Sequence, residues 1–298
     1  MDIRHIRYFL QIREESNFTR AAEKLGIGQP PLSMQIRDLE REIGAQLFQR
    51  TSSGAVLTEA GKAFYEAVKH IPDLMTQAKI AAARAASGET GSLTLGFTGT
   101  VALHKLTRES IRGFRTQWPE VELNVNEANS LALMEQLAAR QIDVALLRAP
   151  QRVADNIQLF SLFDEPLIAA LPVEHPQASQ SDRLDLKTLQ QDRFVLTPDT
   201  LGTSLREATL RACEKAGFTP ASEQPAPHIV SILAMVSAGL GVSLVPESTR
   251  QFHLEGVKYR RLCHPAAAIT LSIALNKQNI SPAAENFYQL VNSIVNHD

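Results

Sequence analysis

The sequence predicts an α/β protein that begins with a small winged helix-turn-helix. Three observations support this fold class. Residues 1–57 show three short helical patterns and then a hairpin pattern, and residues 58–88 carry an unbroken apolar heptad pattern. From residue 92 onward, apolar strand patterns alternate with helical ones, as in α/β domains. For 298 residues we expect about two domains of roughly 150 residues each. The predicted segments are a head at 1–58, a linker helix at 59–88 and a body at 92–298.

Helix start and stop signals divide the head. Thr19 is a plausible N-cap for a second helix over residues 20–25, and Gly26 is suited to end it. Gln29-Pro30-Pro31 then opens a third helix, because proline is tolerated in a first turn. Two short helices joined by a tight turn containing glycine are typical of a helix-turn-helix.

The third helix is amphipathic. Its apolar face contains Leu32, Ile36, Leu39 and Ile43, and Gly44 ends it. The opposite face contains Pro30, Met34, Arg37 and Arg41, with Ser33 on the flank. Residues 47–57 then predict a short hairpin, or wing, with a polar tip at 51–54.

The linker pattern predicts one long helix from Thr58 to about Gly88, with a kink at Pro72. Its apolar positions alternate spacings of four and three, as in a coiled-coil seam. They are Phe64, Val68, Ile71, Met75, Ala78, Ala82 and Ala85. A dimer through this helix is therefore predicted. The alternative is a single helix lying on its own domain. Residues 87–91 form a predicted hinge.

The body shows strand and helix alternation, which predicts mostly parallel sheets. Candidate strands are Leu93–Phe97, Val121–Asn126, Ile142–Leu147, Leu167–Leu171, Phe194–Thr197, Val242–Val245 and Ile269–Ala274. Candidate helices are His104–Arg115, Leu131–Ala139, Leu205–Ala216 and Ile229–Ala238.

Composition restricts the function. The net charge is −2, so binding to nucleic acid would require basic residues concentrated on one face. No apolar run reaches the ~20 residues of a membrane span, and no signal segment opens the chain, so we expect a cytoplasmic protein. Two cysteines, Cys213 and Cys263, are too few for a disulfide framework and are either buried thiols or a redox pair.

Two classes of function need motifs that we do not find in the sequence. A solute-binding protein needs a signal peptide, and an α/β enzyme needs a nucleophile–base pair or a cofactor loop. The histidines are scattered without paired metal-ligand spacing. We therefore predict a protein that is not an enzyme and has no catalytic residues, no metal and no cofactor.

The third helix has residues suited to base recognition near its start. Glutamine can pair with adenine, arginine with guanine and serine with either. The wing can reach phosphates or the minor groove beside them. The candidate DNA-binding residues are Thr19, Arg20, Gln29, Pro30, Ser33, Met34, Arg37, Arg50 and Ser52. The alternative is that Arg37 and Arg41 only occupy a solvated helix face.

Residues 1–60 resemble the head of LysR-type transcriptional regulators. The resemblance is carried by Asn17-Phe18-Thr19-Arg20-Ala21-Ala22-Glu23-Lys24-Leu25, Gln29-Pro30-Pro31-Leu32-Ser33, Ile36-Arg37-Asp38-Leu39-Glu40, Gly44-Ala45-Gln46-Leu47-Phe48-Gln49-Arg50 and Leu57-Thr58-Glu59-Ala60-Gly61. There are two departures. Gly28 replaces a usual serine, which weakens the cap before Gln29, and Met34 replaces a polar or basic residue.

The resemblance implies a transcriptional regulator whose body has two lobes, like periplasmic binding proteins, with a small-molecule effector between them. The expected lobes are about 92–161 with 267–298, and about 162–266. Hydroxyls, helix amides and one arginine at strand and helix ends suit a small carboxylate. The candidate effector residues are Thr98, Thr100, Asn129, Ser130, Arg148, Thr203, Ser204 and His228. The alternatives are N-caps at Thr100 and Ser130, an ion pair at Arg148 and a structural histidine.

The expected partners follow from the same resemblance. They are double-stranded DNA with an interrupted dyad-symmetric operator, the effector, further copies of the chain as a dimer or tetramer, and RNA polymerase as a further candidate. The paired prolines at 30–31 resemble regulators of aromatic-acid catabolism. The sequence leaves the effector, the promoter and the choice between activation and repression open.

Overall fold

A computed structural model describes residues 1–298 except 52–53, 149–152, 180–182, 200–203, 264–267, 279 and 298. The chain divides into two compact units, residues 1–83 and 84–298. None of the helices in the described part of the chain has the length and apolar character needed to span a bilayer.

The first unit is a three-helix head followed by a hairpin. The elements are α1 (Ile3–Glu15), α2 (Phe18–Leu25), α3 (Gln29–Ile43), β1 (Phe48–Thr51), β2 (Gly54–Leu57), α4 (Glu59–Val68) and most of α5 (Ile71–Ala86), whose last three residues belong to the second unit. Phe9 is fully buried, and its ring centroid lies 5.1 Å from that of Phe48 and 4.9 Å from that of Phe64. The apolar face of α3 packs into the same core through Leu32 and Ile36. Local apolar periodicity therefore predicted this part of the fold well.

The predicted N-cap of α2 is corrected from Thr19 to Asn17. Asn17 has an extended backbone, and its Oδ1 accepts hydrogen bonds from the Thr19 and Arg20 amides at 2.8 and 3.2 Å. Thr19 is therefore inside the first turn, where its own amide needs the cap. As expected from Gly28, no side chain caps the start of α3.

The predicted single linker helix is also corrected, because two helices replace it. Helix α4 ends at Val68 and α5 begins at Ile71, just before Pro72, which has no amide hydrogen to donate within a helix. The predicted seam is divided accordingly. Phe64, Val68 and Ile71 pack in or against the head core, whereas α5 has no buried residue along its described length, 71–86.

The second unit is a two-lobed α/β domain. The first lobe contains β3 (Gly91–Phe97), α6 (Gly99–Ala102), α7 (Lys105–Gln117), β4 (Val121–Glu127), α8 (Ser130–Ala138), β5 (Val144–Arg148) and the beginning of β6 (Ile157–Pro172). The second lobe adds β7 (Arg183–Leu184), β8 (Arg193–Leu196), α9 (Ser204–Lys215), β9 (Ser222–Pro225), α10 (Ile229–Ser237), β10 (Ser243–Pro246) and β11 (Val257–Leu262). The chain then returns to the first lobe through β12 (Ala268–Asn276) and α11 (Pro282–His297).

Strand β6 connects the lobes. It pairs antiparallel with β12 from Ile157 to Pro166, and from Leu167 onward it pairs with β10 and β11. The crossing therefore falls at residues 166–167, inside a strand, rather than at the expected 161–162. The sheets are mixed rather than mostly parallel, because β12 is antiparallel to both β5 and β6.

The predicted hinge at residues 87–91 is attached to α11. The side-chain amide of Asn286 donates to the Ser87 carbonyl at 2.9 Å, and a Cβ on Gly88 would lie 2.6 Å from the Pro282 backbone. Gly88 also has a φ of +71°, which glycine adopts without strain. This segment is therefore a packed junction rather than a free hinge.

Candidate functional sites

One flank of α3 and the wing enclose a groove of about 610 Å³ on the head. Five predicted DNA-binding residues contribute to it: Gln29, Pro30, Ser33, Arg37 and Arg50. Thr19, Arg20 and Met34 are exposed elsewhere on α2 and α3, with Met34 at 53%. Ser52 lies outside the described residues. The fold therefore gathers most of the predicted residues on one face.

Ser33 departs from the prediction that its hydroxyl contacts bases. The residue is only 5% exposed. Its Oγ accepts hydrogen bonds from Gln29 Nε2 at 2.8 Å and from Arg50 Nη2 at 3.1 Å. Arg37 is exposed, and its Nε donates to the Ser33 carbonyl at 3.3 Å, which leaves the two terminal nitrogens of its guanidinium facing outward. Helix packing thus turns the serine inward and leaves the longer side chains outside.

Two residues that the sequence analysis missed hold the wing. The Phe18 ring lies beneath the Arg50 guanidinium, 4.8 Å from centroid to Cζ, a cation–π geometry. Glu40 Oε1 accepts hydrogen bonds from the Leu47 and Phe48 amides at 2.8 and 3.1 Å. No local pattern marks Glu40 for this contact, because its partners are seven and eight residues away.

A cavity of about 460 Å³ lies between the two lobes of the second unit. It is lined by seven of the eight predicted effector residues: Thr98, Thr100, Asn129, Ser130, Arg148, Ser204 and His228. Thr203, the eighth, lies outside the described residues. The prediction that strand and helix ends would meet at one place is therefore consistent with the geometry.

The residues at the cavity differ in their local roles. Asn129, not Ser130, is the N-cap of α8, and its Oδ1 accepts from the Ala132 amide at 2.9 Å. Thr98, not Thr100, holds the N-cap position of α6. The hydroxyls of Ser130 and Ser204, one from each lobe, both donate to the Arg148 carbonyl at 3.2 Å.

His228 is exposed in the cavity wall, at the N-cap position of α10. Its side chain makes no capping hydrogen bond, so the first-turn amides of that helix have no side-chain cap. Those amides carry the positive end of the helix dipole.

Arg148 is buried and paired, which corrects the expectation of an arginine available to an anion. It forms an ion pair with Glu165. The pKa of Arg148 is lowered from its ordinary value, because the effect of burial exceeds the opposing effect of the Glu165 carboxylate. The other oxygen of Glu165, Oε1, accepts from the Ser248 amide at 2.6 Å. The guanidinium charge is therefore neutralised inside the protein, as in the alternative that the sequence left open.

The remaining lining residues had no sequence signal and are mainly apolar. They are Gly99, Ala102, Leu103, Glu127, Ala128, Thr197, Leu205, Pro227, Ile229 and Val230. Five come from each lobe, and the two sets meet because the lobes face each other. Such a cavity suits a molecule with an apolar body and a small polar group.

The cysteines do not form a disulfide. Cys213 is buried and Cys263 is exposed, and both are free thiols. Burial raises the pKa of the Cys213 thiol to about 12. Among the described residues, no group of three or more His, Cys, Asp or Glu side chains is arranged to hold a metal ion.

A helix-turn-helix with arginines on its exposed face, followed by a two-lobed domain with a ligand-sized cavity, defines a ligand-responsive regulator of transcription. The chain belongs to the lysR family of bacterial regulatory helix-turn-helix proteins, whose profile matches residues 3–62. The profile of the LysR substrate binding domain matches residues 86–294. The resemblance found in the head therefore extends through the body.

Similar proteins can be aligned with nearly the whole chain. The HTH-type transcriptional regulator CatR of Pseudomonas putida is 35% identical over 295 residues, covering 98% of each chain. The regulator BudR of Raoultella terrigena is 34% identical over 290 residues, covering 97% of this chain and 100% of its own. The crystal structure of CbnR, a LysR family transcriptional regulator, superimposes with a TM-score of 0.79 at 25% identity, covering 98% and 100%.

Proposed function

We propose that the cavity between the lobes binds a small organic monocarboxylate with an apolar body of about the size of an aromatic ring, and that this binding controls how the head engages DNA. The observation that carries the proposal is the convergence of helix starts on one cavity. Helices α8, α9 and α10 begin at lining residues Ser130, Ser204 and Ile229. Helix N-termini attract anions through their amides and dipoles.

The chemistry of the walls supports a carboxylate held by neutral donors. Arg148 is already neutralised by Glu165, so main-chain amides, the hydroxyls of Thr98 and Thr100 and the imidazole of His228 are candidates to orient an anion. Leu103, Ile229 and the other apolar residues of the lining fit a hydrocarbon body. The volume lies within the ~300–1,000 Å³ range of small-molecule sites. No cofactor is needed for this role.

The effector proposal is tested with two isosteres. Benzoate should raise the melting temperature of the full chain, and benzamide, which has nearly the same shape without the charge, should raise it much less. Thr98→Val and Thr100→Val should weaken the benzoate response while leaving DNA binding without ligand nearly unchanged. A response limited to sugars or cations, or a full response in both variants, would contradict the proposal.

For DNA, we propose that the head reads base edges with α3 and contacts the backbone with the wing. Arg37 is suited to guanine, and exposed Met34 to a thymine methyl. Arg37→Ala should cost about 1–3 kcal/mol at one base pair and relax preference there. Gel shifts with the DNA upstream of the gene that encodes this chain, and with random DNA, test this. Equal weakening on both DNAs would limit Arg37 to phosphate contact. Since the target is chromosomal DNA, we place the action in the cytoplasm.

For assembly, we propose that α5 pairs with α5 of a second copy, so that two heads bind an interrupted dyad. Leu74 is 59% exposed and lies on the same side of α5 as Ala78, an arrangement suited to helix pairing. Ala78→Asp should dissociate the pair and reduce operator affinity, whereas Thr76→Asp, at an exposed position on the opposite side of α5, should not. Light scattering measures both, and an unchanged oligomer in Ala78→Asp would place the interface elsewhere.

A further inference from the structure

We propose that Ser33 is a positioning residue that determines base preference through Gln29 and Arg50 without touching DNA. This inference rests on the proposed function of the head, in which Gln29 and Arg50 face the DNA. Ser33 lies one turn after Gln29 on α3, and its hydroxyl bridges to the wing. One oxygen atom therefore orients side chains from both DNA-facing elements.

The burial and pairing of Ser33 argue against a direct contact with DNA. At 5% exposure its hydroxyl faces the space between α3 and the wing rather than solvent. A serine oxygen has two acceptor lone pairs, and the bonds from Gln29 and Arg50 occupy both. The hydroxyl has no acceptor capacity left for a base or for water.

The bond to Ser33 selects one orientation of the Gln29 amide. One hydrogen of Nε2 is committed to Ser33 at 2.8 Å, so the other hydrogen and Oε1 are the groups left for a base. A donor beside an acceptor matches N7 and N6 of adenine in the major groove. Without the bond, the amide rotates and its donor and acceptor exchange places, so discrimination between base pairs falls.

The same oxygen positions Arg50. Its guanidinium is held between Ser33 Oγ at 3.1 Å and the Phe18 ring at 4.8 Å. These contacts direct a positive charge from the wing toward the start of α3. Loss of the serine hydroxyl should therefore affect base preference and wing contact together.

The test is a double-variant cycle on the full chain. The first probe is a duplex that the wild-type chain selects from a random pool. The other probes are copies of that duplex, in each of which a single A·T pair is replaced by G·C. Gln29→Ala should reduce preference at one pair by about 5- to 150-fold, the discrimination of a bidentate contact. Ser33→Ala should reduce preference at that same pair at least several-fold. Adding Ser33→Ala to Gln29→Ala should change preference there no further.

Three controls separate positioning from folding. Ser33→Cys keeps the side-chain size but is a weak acceptor, so it should lose preference with a native melting temperature, whereas Ser33→Thr keeps the hydroxyl and should retain it. Arg41→Ala removes an exposed arginine of the same helix, paired with Asp38 at 3.1 Å, and should leave preference unchanged.

The outcomes are distinguishable. If Gln29→Ala changes preference at no pair, the premise that Gln29 reads a base fails, and base reading by the head then depends on the separate Arg37→Ala test. If Gln29→Ala acts but Ser33→Cys keeps full preference, or if the two losses add in the double variant, only the role of Ser33 is overturned. Loss in Ser33→Cys, retention in Ser33→Thr and no further loss in the double variant support it.

Discussion

Removing the Glu165 carboxylate should destabilise the second unit more than any single exposed ion pair does. Glu165 is 4% exposed, and it neutralises Arg148, which is 2% exposed, while also accepting the Ser248 amide at 2.6 Å. In Glu165→Ala the arginine keeps its charge in a buried setting with no counterion, and the amide loses its acceptor. Both costs arise in the folded state, so unfolding becomes easier.

The size of the effect follows from the burial. Removing one partner of a buried pair costs about 3–5 kcal/mol, because the remaining charge cannot be solvated. For a unit of this size, a change of 1 kcal/mol shifts the melting temperature by about 2–4 °C, so a loss of roughly 6–20 °C is expected. Replacing both residues, as in Arg148→Met with Glu165→Leu, should recover most of that loss.

The assay is thermal unfolding of the full chain, followed by the signal of the second unit. Glu120→Ala is the matched control, because Glu120 pairs with Arg84 at 2.8 Å on the surface, where water and salt screen the attraction. A melting temperature of Glu165→Ala within 2 °C of the wild type, or a double variant no more stable than the single one, would refute the argument.

Three further predictions concern other contacts. Glu40→Ala should cost about 1–3 kcal/mol of head stability by freeing two wing amides, and DNA affinity should fall with it; an unchanged head in denaturant titration would contradict this. Asn17→Ala should cost about 1 kcal/mol, whereas Thr19→Ala should cost less, and a larger loss in Thr19→Ala would return the cap to Thr19. A thiol reagent at neutral pH should label Cys263 alone in the folded chain, because Cys213 is buried with its pKa raised to about 12. Rapid labelling of two thiols per chain would contradict this prediction.

Much of the fold and part of the sites could be predicted because their signals are local. Apolar spacing in α1 and α3, proline at the start of α3 and glycine at position 44 all act within a few residues. The gathering of seven predicted residues at one cavity followed from a general rule about the carboxyl ends of strands. Strand β11 was missed because basic residues interrupt its apolar pattern, and α11 was missed although it is amphipathic.

By itself, the sequence determined the family, the helix-turn-helix with its wing, and the regions from which the cavity is built. These depend on periodicity, on caps and on turns, which are written in neighbouring residues. Only the tertiary structure decided the partners of polar groups. Arg148 is neutralised by a carboxylate 17 residues away, and the Ser33 hydroxyl bonds to an arginine also 17 residues away. The same holds for β6, whose crossing between lobes depends on which strands lie beside it. Partner choice is set by packing between distant segments, and no local pattern records which buried charges and hydroxyls will meet.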